Sequence, residues 1–308
     1  MPDKPAAEVV IDETLVRHLL TSQATTVIAD AATLPLEKAA EGWDSEMWRA
    51  GNEFAVRLPR RAIAAPLVLN EQRVLPDLAA RIEPTGMRVP APVFAGVPDS
   101  RYPWAWSVVP WIEGSRGIDI PRAERSGWAE SLAAALSALH APAPKDFPVN
   151  PFRGVALAAR SSAVQERLAR LREGGALSDA EAEAAASVWT DGLEVDAWTR
   201  PPVWIHGDLH PANLVAHGGR LIGIIDFGDV TAGDPAYDLA VAWLAFDEAG
   251  RQRFVSATDG RHRGSTWVRA RAWGVSVALM LLAHSDDEPA YAALGREAFD
   301  EVMNPRAE

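Results

Sequence analysis

Asp208, Asn213 five residues later and Asp226 thirteen beyond that stand in the segment Trp204 to Asp226, WIHGDLHPANLVAHGGRLIGIID. Carboxylate and amide oxygens are hard ligands for Mg²⁺, and a carboxylate can orient a hydroxyl and take its proton. Leu214 to Ala216 and Leu221 to Ile225 read as short strands around His217, Gly218 and Gly219. A hairpin of that kind carries Asp226 back beside Asn213, so three oxygen-bearing groups converge. Taken singly, each is an ordinary turn or strand-end residue. Taken together, they suit phosphoryl transfer from a nucleotide to a hydroxyl. His206, Asp208 and His210 also alternate as zinc ligands do in some hydrolases, but the downstream Asn and Asp favour a hard cation and therefore magnesium.

The run His206-Gly207-Asp208-Leu209-His210-Pro211-Ala212-Asn213 resembles the catalytic loop of the aminoglycoside phosphotransferase family, and Ile225-Asp226-Phe227-Gly228-Asp229 resembles its metal-binding strand end. Gly233-Asp234-Pro235-Ala236-Tyr237-Asp238-Leu239-Ala240 matches a further signature of that family. The resemblance implies an α+β, two-lobed, protein-kinase-like fold, with a small β-rich lobe over residues 1–110 and a larger, mainly helical lobe over 111–308. It implies ATP, or GTP, as phosphate donor and Mg²⁺ as cofactor. Asp208 would be the catalytic base, Asn213 and Asp226 the metal ligands, and His206 and Asp238 braces of the catalytic loop.

The elements ahead of this loop must hold the nucleotide. Glu46 to Arg49 and Phe54 to Leu58 read as strands around the turn Ala50 to Glu53. Arg57, on the second, stands where protein kinases carry a phosphate-binding Lys, and a guanidinium fork suits phosphate oxygens. Arg60 and Arg61 stand close by, as further phosphate contacts or as surface residues. Leu67, Val74, Leu75 and Leu78 mark a helical stripe whose face includes Glu71, the expected partner of Arg57. Pro76 is expected to kink or end that helix. No G-x-G-x-x-G occurs; Gly42 to Glu46 stands in its place, with Ser45 as a nucleotide contact. By alignment with the family, WSVVPWIEG (Trp106 to Gly114) is the hinge, with Val109, Pro110 and Ile112 against the adenine.

Helices are expected over Arg122 to His140, over Ala156 to Val188 with a break near Gly174-Gly175, and after Asp234-Pro235, where Asp suits the N-cap and Pro the first helical position. Ala272 to Ala283 is apolar but shorter than the roughly 20 residues that span a bilayer, and reads as a buried helix.

The chain has 308 residues, no cysteine and a formal charge of −12. Thiol chemistry and cysteine-bound metals are thereby excluded, and nucleic acid is a poor partner for so acidic a chain. Met1 to Glu13 has no apolar run of a signal peptide, so a cytoplasmic monomer or homodimer with no membrane partner is expected. Acidity mainly serves solubility, though it would also suit a cationic acceptor. Asp229, Asp247, Glu248, Asp286 and Asp287 are candidates to meet an aminoglycoside's amines; Trp243, Phe246, Trp267 and Trp273 are the alternative, an apolar pocket for a macrolide. An antibiotic phosphotransferase, a kinase for a small hydroxylated metabolite and a nucleotide-binding regulatory protein without transfer activity remain the functional alternatives.

Overall fold

A computed structural model of the chain describes residues 5–144, 147–285 and 288–304. The chain opens with α1 (Glu13–Gln23), followed by β1 (Leu36–Glu41), β2 (Ser45–Ala50), β3 (Phe54–Pro59), α2 (Ala65–Ile82), β4 (Phe94–Gly96) and β5 (Trp106–Pro110). These strands form one antiparallel sheet in the order β1-β2-β3-β5-β4. Alternation drives it: β2 buries Glu46, Trp48 and Ala50 while the residues between them are half-exposed. β3, in the middle of the sheet, is buried along nearly its whole length.

The remainder is mostly helical. After β6 (Ser115–Arg116) come α3 (Arg122–Arg125), α4 (Ala129–Leu139), α5 (Ser161–Glu173), α6 (Asp179–Glu194) and β7 (Val203–Ile205). β8 (Leu214–His217), β9 (Arg220–Ile224) and β10 (Thr231–Gly233) precede α7 (Ala236–Leu239), α8 (Val241–Ala245), α9 (Glu248–Ala257), α10 (Gly264–His284) and α11 (Pro289–Met303). Two small sheets, β6-β8-β9 and β7-β10, carry the loop between β7 and β8.

The apolar core divides accordingly. One cluster joins α1 to the large sheet through Leu19, Leu20, Val56, Leu58 and Trp106. The other fills the helical body and includes Leu75, Leu78 and Ile82 of α2. That second cluster explains a departure from expectation: α2 runs through Pro76 to Ile82. Proline inside a helix costs about 3 kcal/mol, and each of the three large side chains buried beyond or beside it returns about 1.5–3 kcal/mol. Conversely, the helix expected over Arg122 to His140 is interrupted by a 3-10 turn at Ser126–Trp128. The break near Gly174-Gly175 lies between α5 and α6, with Gly175 at φ +71°.

Trp243, Phe246 and Trp273 are buried in the helical core, and Trp267 packs against it. These four aromatics build the interior rather than a ligand pocket. Among the described residues no helix is long and apolar enough to cross a membrane.

Candidate active site

The loop between β7 and β8 is held from beneath. Asp238 of α7, fully buried, accepts hydrogen bonds from the His206 N–H at 2.8 Å and the Gly207 N–H at 3.0 Å. His140 Nε2 donates to the same carboxylate at 3.1 Å. His206 is equally constrained: the Asp208 N–H donates to its Nδ1 at 3.1 Å, so its proton lies on Nε2, which donates to the Ile225 carbonyl at 2.9 Å. With both ring nitrogens engaged, His206 has no lone pair for a metal, which removes the zinc arrangement. Gly207 sits at φ +83°, and a Cβ there would lie 2.4 Å from the Asp229 carbonyl oxygen. The position therefore demands glycine twice over, for conformation and for space.

Asp208 emerges from this brace with its side chain about a quarter exposed. Asn213 Nδ2 donates to the Asp208 carbonyl at 2.8 Å and lies 3.4 Å from Asp208 Oδ2. With its Nδ2 committed there, Asn213 offers only its Oδ1 to a cation. The Ile225 N–H donates to the Asn213 carbonyl at 2.9 Å, and the β8-β9 hairpin thus brings Asp226 alongside. Asp226 is left-handed, at φ 61° and ψ 65°, a conformation that costs a non-glycine residue about 1–3 kcal/mol and is characteristic of functional sites.

Arg57 of β3 meets this hairpin from the opposite sheet. Its Nη2 donates to Asp226 Oδ1 at 3.0 Å, across 169 positions of sequence, and its Nε lies 2.8 Å from Glu71 Oε2. The latter is a close ion contact rather than an aligned hydrogen bond, since Nε has no hydrogen-bond partner. Burial works against the Arg57 charge, but Glu71 and Asp226 outweigh it and raise the guanidinium above its ordinary range.

The other expected nucleotide contacts lie along the same sheet. Ser45 opens β2 opposite Pro59, and its carbonyl accepts from the Gly42 N–H at 2.9 Å, closing a tight hairpin. Arg60 and Arg61 hold this hairpin: Arg60 pairs with Glu41 at 3.0 Å and Arg61 with Asp44 at 2.7 Å. Val109 and Pro110 end β5 opposite Ala55 and Phe54, and buried Ile112 follows on the connection to the helical body.

Magnesium suits the donor set. Asp226 presents a half-exposed carboxylate and Asn213 an amide oxygen, two hard ligands of the kind the ion combines with phosphate and water oxygens. Among the described residues no three His, Asp or Glu side chains form a cage of their own.

Asp229 lies beside Asp208 but is already paired. Arg153 donates to Asp229 Oδ2 from Nε at 3.2 Å and Nη2 at 3.0 Å, and to the Tyr237 hydroxyl at 2.6 Å. The same Nη2 stands 3.4 Å from Asp208 Oδ1. Burial acts to raise the Asp208 carboxyl, but His210 and Arg153 outweigh it and hold Asp208 well below the usual carboxylate range. Asp247 is spent elsewhere, capping α9 through the Gly250 N–H at 2.8 Å and accepting from the Ser126 hydroxyl at 2.6 Å. Glu248 begins α9 and accepts from Gln252. Asp286 and Asp287 lie outside the described residues.

Sequence reasoning missed Arg153, His140 and Asn150, whose Nδ2 donates to Asp229 Oδ1 at 2.8 Å, and gave Tyr237 no role beyond its place in the family signature. The one local signal for Arg153 is the neighbouring Gly154, at φ +62°, where a Cβ would lie 2.3 Å from Ile205 Cδ1. A Cβ on Gly233 would in turn lie 2.6 Å from the Gly154 carbonyl oxygen, so the two backbones pass in close contact beside Arg153.

A five-stranded antiparallel sheet facing a helical body, with a braced loop and hairpin between them, defines a two-lobed, protein-kinase-like α+β fold. The chain belongs to the phosphotransferase enzyme family (APH), whose model matches residues 35–273. Among solved structures, the GDP complex of wild-type aminoglycoside 2'-phosphotransferase-IIIa is similar at TM-score 0.66 and 20% identity, covering 93% of this chain and 98% of that one. The macrolide 2'-phosphotransferase MphH from Brachybacterium faecium is similar at TM-score 0.58 and 23% identity, covering 94% and 100%. A 116-residue stretch, 34% of this chain, is 28% identical to the uncharacterized protein YcbJ of Bacillus subtilis (strain 168) and spans 38% of that relative's length.

Proposed function

We propose that this chain transfers the γ-phosphate of ATP or GTP to a hydroxyl of a small molecule. The observation that carries the reading is the reach of Arg57 from the sheet to Asp226 on the hairpin, 3.0 Å away, with Glu71 fixing its other edge. That contact brings a phosphate-binding cation to the candidate metal ligand, beside the loop that holds a carboxylate.

In this reading the lobes divide near residue 110. Val109, Pro110 and Ile112 frame the base of the nucleotide, Ser45 and Arg57 hold its phosphates, and Glu71 aims Arg57. Asn213 and Asp226 would hold magnesium, which supplies charge neutralisation on the phosphates when bound. Asp208, kept ionised by its neighbours, accepts a hydrogen bond from the acceptor hydroxyl and then its proton. His206 and Asp238 keep that carboxylate in place. The enzyme works as a cytoplasmic monomer or homodimer.

An aminoglycoside or a macrolide is one reading of the acceptor, by likeness to the solved antibiotic phosphotransferases. A small hydroxylated metabolite is the second, and Arg153 favours it: Asp229, the carboxylate best placed to greet an amine, is already neutralised. A coupled nucleotide-turnover screen over aminoglycosides, macrolides and polyols, with ATP and with GTP, separates them. Asp208→Asn should bind nucleotide as the parent does and lose transfer by orders of magnitude. Undiminished transfer by that variant would remove Asp208 from the role of base.

A further inference from the structure

Between the connection from α6 to β7 and the first turn of α10 lies a cavity of about 180 Å³, whose lining includes none of the candidate active-site residues. That is far more than the ~10–15 Å³ one water needs and less than the ~300–1,000 Å³ of drug-sized ligand sites. Four arginines line it: Arg200, Arg261, Arg263 and Arg269.

One of the four builds the walls. Arg269 is buried, pairs with Asp234 at 2.7 Å, and donates from Nη1 to the Asp196 carbonyl at 2.6 Å and the Ser265 carbonyl at 3.1 Å. The other three are uncommitted. Among the described residues Arg261 and Arg263 make no side-chain hydrogen bond or ion pair, and Arg200 lies over the Trp198 ring alone, 5.7 Å from its centroid.

The carboxylates present do not cancel these charges. Asp234 neutralises Arg269, and Asp196, the one carboxylate in the lining, can offset a second, so two of the four positive charges stay unmatched. The first turn of α10 carries no acidic residue, and its N-terminal end adds partial charge of the same sign. His262 responds to this field: burial first, then His140, Arg261 and Arg200, hold its imidazole below the ordinary range. In a chain of formal charge −12, such a cavity favours an anion. A carboxylate offers two oxygens to these donors, whereas a phosphate group offers three and is bound bidentately by guanidinium forks. Trp198, half-buried in the same lining, adds an aromatic surface for an organic body.

We propose that this cavity is a second ligand site, taking a small phosphate monoester whose phosphate is held by Arg200, Arg261 and Arg263 and whose organic part packs on Trp198. No bond is made or broken there, and the site stands independently of the phosphotransferase reading.

Calorimetry on the full chain without nucleotide tests this with ribose 5-phosphate, inorganic phosphate and ribose. Ribose 5-phosphate should bind with a Kd of about 1 mM or tighter, inorganic phosphate about tenfold more weakly, and ribose not measurably. The double variant Arg261→Gln/Arg263→Gln, at two exposed positions, should keep the parent's thermal midpoint and weaken ribose 5-phosphate about tenfold or more. The corresponding double Lys variant should recover part of the loss. Arg57→Gln, at the candidate nucleotide site, should leave this binding within about twofold of the parent. No binding of ribose 5-phosphate, undiminished binding by the Arg261/Arg263 double Gln variant, or binding lost with Arg57→Gln would overturn the second site. Inorganic phosphate or ribose bound as tightly as the ester would overturn the monoester as its occupant.

Discussion

Asp238→Asn tests how the candidate catalytic loop is held. The carboxylate lies fully buried and meets three donors: the N–H groups of His206 and Gly207, and His140 Nε2. An acceptor-only group suits that environment, because every neighbour donates. Asparagine keeps the shape but turns one oxygen into an NH₂, which must then face at least one of those donors. A hydrogen bond to a charged acceptor contributes about 1.5–3 kcal/mol, and an orphaned buried donor costs about 1–3 kcal/mol. The variant should therefore lose about 2.5–6 kcal/mol, a large share of a typical total of about 5–15 kcal/mol. Asp238→Ala strands all three donors and risks unfolding, so Asn is the more informative change. Function should suffer in a specific pattern, since the two amides immediately precede Asp208 and a shift of about 1 Å in a reacting group can cost about 100-fold. Urea unfolding gives the stability, and steady-state kinetics should give a fall in kcat with the nucleotide KM within twofold. Stability within 0.5 kcal/mol of the parent at about the ordinary error of such comparisons, with kcat intact, would refute the brace.

Gly207→Ala should cost more than about 2 kcal/mol, because its Cβ would sit 2.4 Å from a carbonyl oxygen at φ +83°; an unchanged thermal midpoint would contradict this. Glu71→Gln keeps the volume but removes the charge that aims Arg57, and should raise the nucleotide KM about tenfold while leaving acceptor KM alone, as initial-rate kinetics can check. Burial, with His140, Arg261 and Arg200 nearby, pushes His262 down from 6.5 to about 4. The unfolded chain then takes up a proton below pH 6.5 that the folded chain refuses until about pH 4, so stability falls as pH drops through that window. His262→Gln should reduce the loss between pH 7 and pH 5 by about 1 kcal/mol, allowing for partial solvent screening, and parallel unfolding curves in the two proteins would disprove the assignment.

What the sequence reveals depends on whether a residue's neighbours are local. Asn213 and Asp226 stand at the two open ends of one hairpin and Asp208 lies on the short loop that enters it, so their spacing alone brings them together. Arg57 and Glu71 are separated by one turn and part of a helix, and the need of a buried cation for a carboxylate links them. β1 escapes such reading because its residues are almost all exposed, leaving no alternation to detect. α2 misleads at Pro76 because the face that carries the helix onward is buried against α4, an element some fifty residues downstream.

Arg153 is the instructive case. Nothing in the Pro-rich stretch Pro142 to Pro151 announces a site, and its partners Asp208, Asp229 and Tyr237 are 55 to 84 positions away. Yet Asp229, judged by itself, suits an amine-bearing ligand, whereas with Arg153 upon it that carboxylate is already paired. The sign of a binding surface is a sum over residues that only the tertiary fold assembles, while the identity of a reacting group survives in a short motif. The residues proposed to react are therefore legible in a short motif, whereas the pairing of Asp229 with Arg153 is set by the tertiary fold. Enlarging either glycine should consequently alter the acceptor preference before it alters the nucleotide KM, because the contact lies on the Arg153 side of Asp208 and away from Arg57. A Gly154→Ala enzyme that loses nucleotide affinity first, measured by calorimetry beside acceptor kinetics, would show that the two halves of the site are not separable in this way.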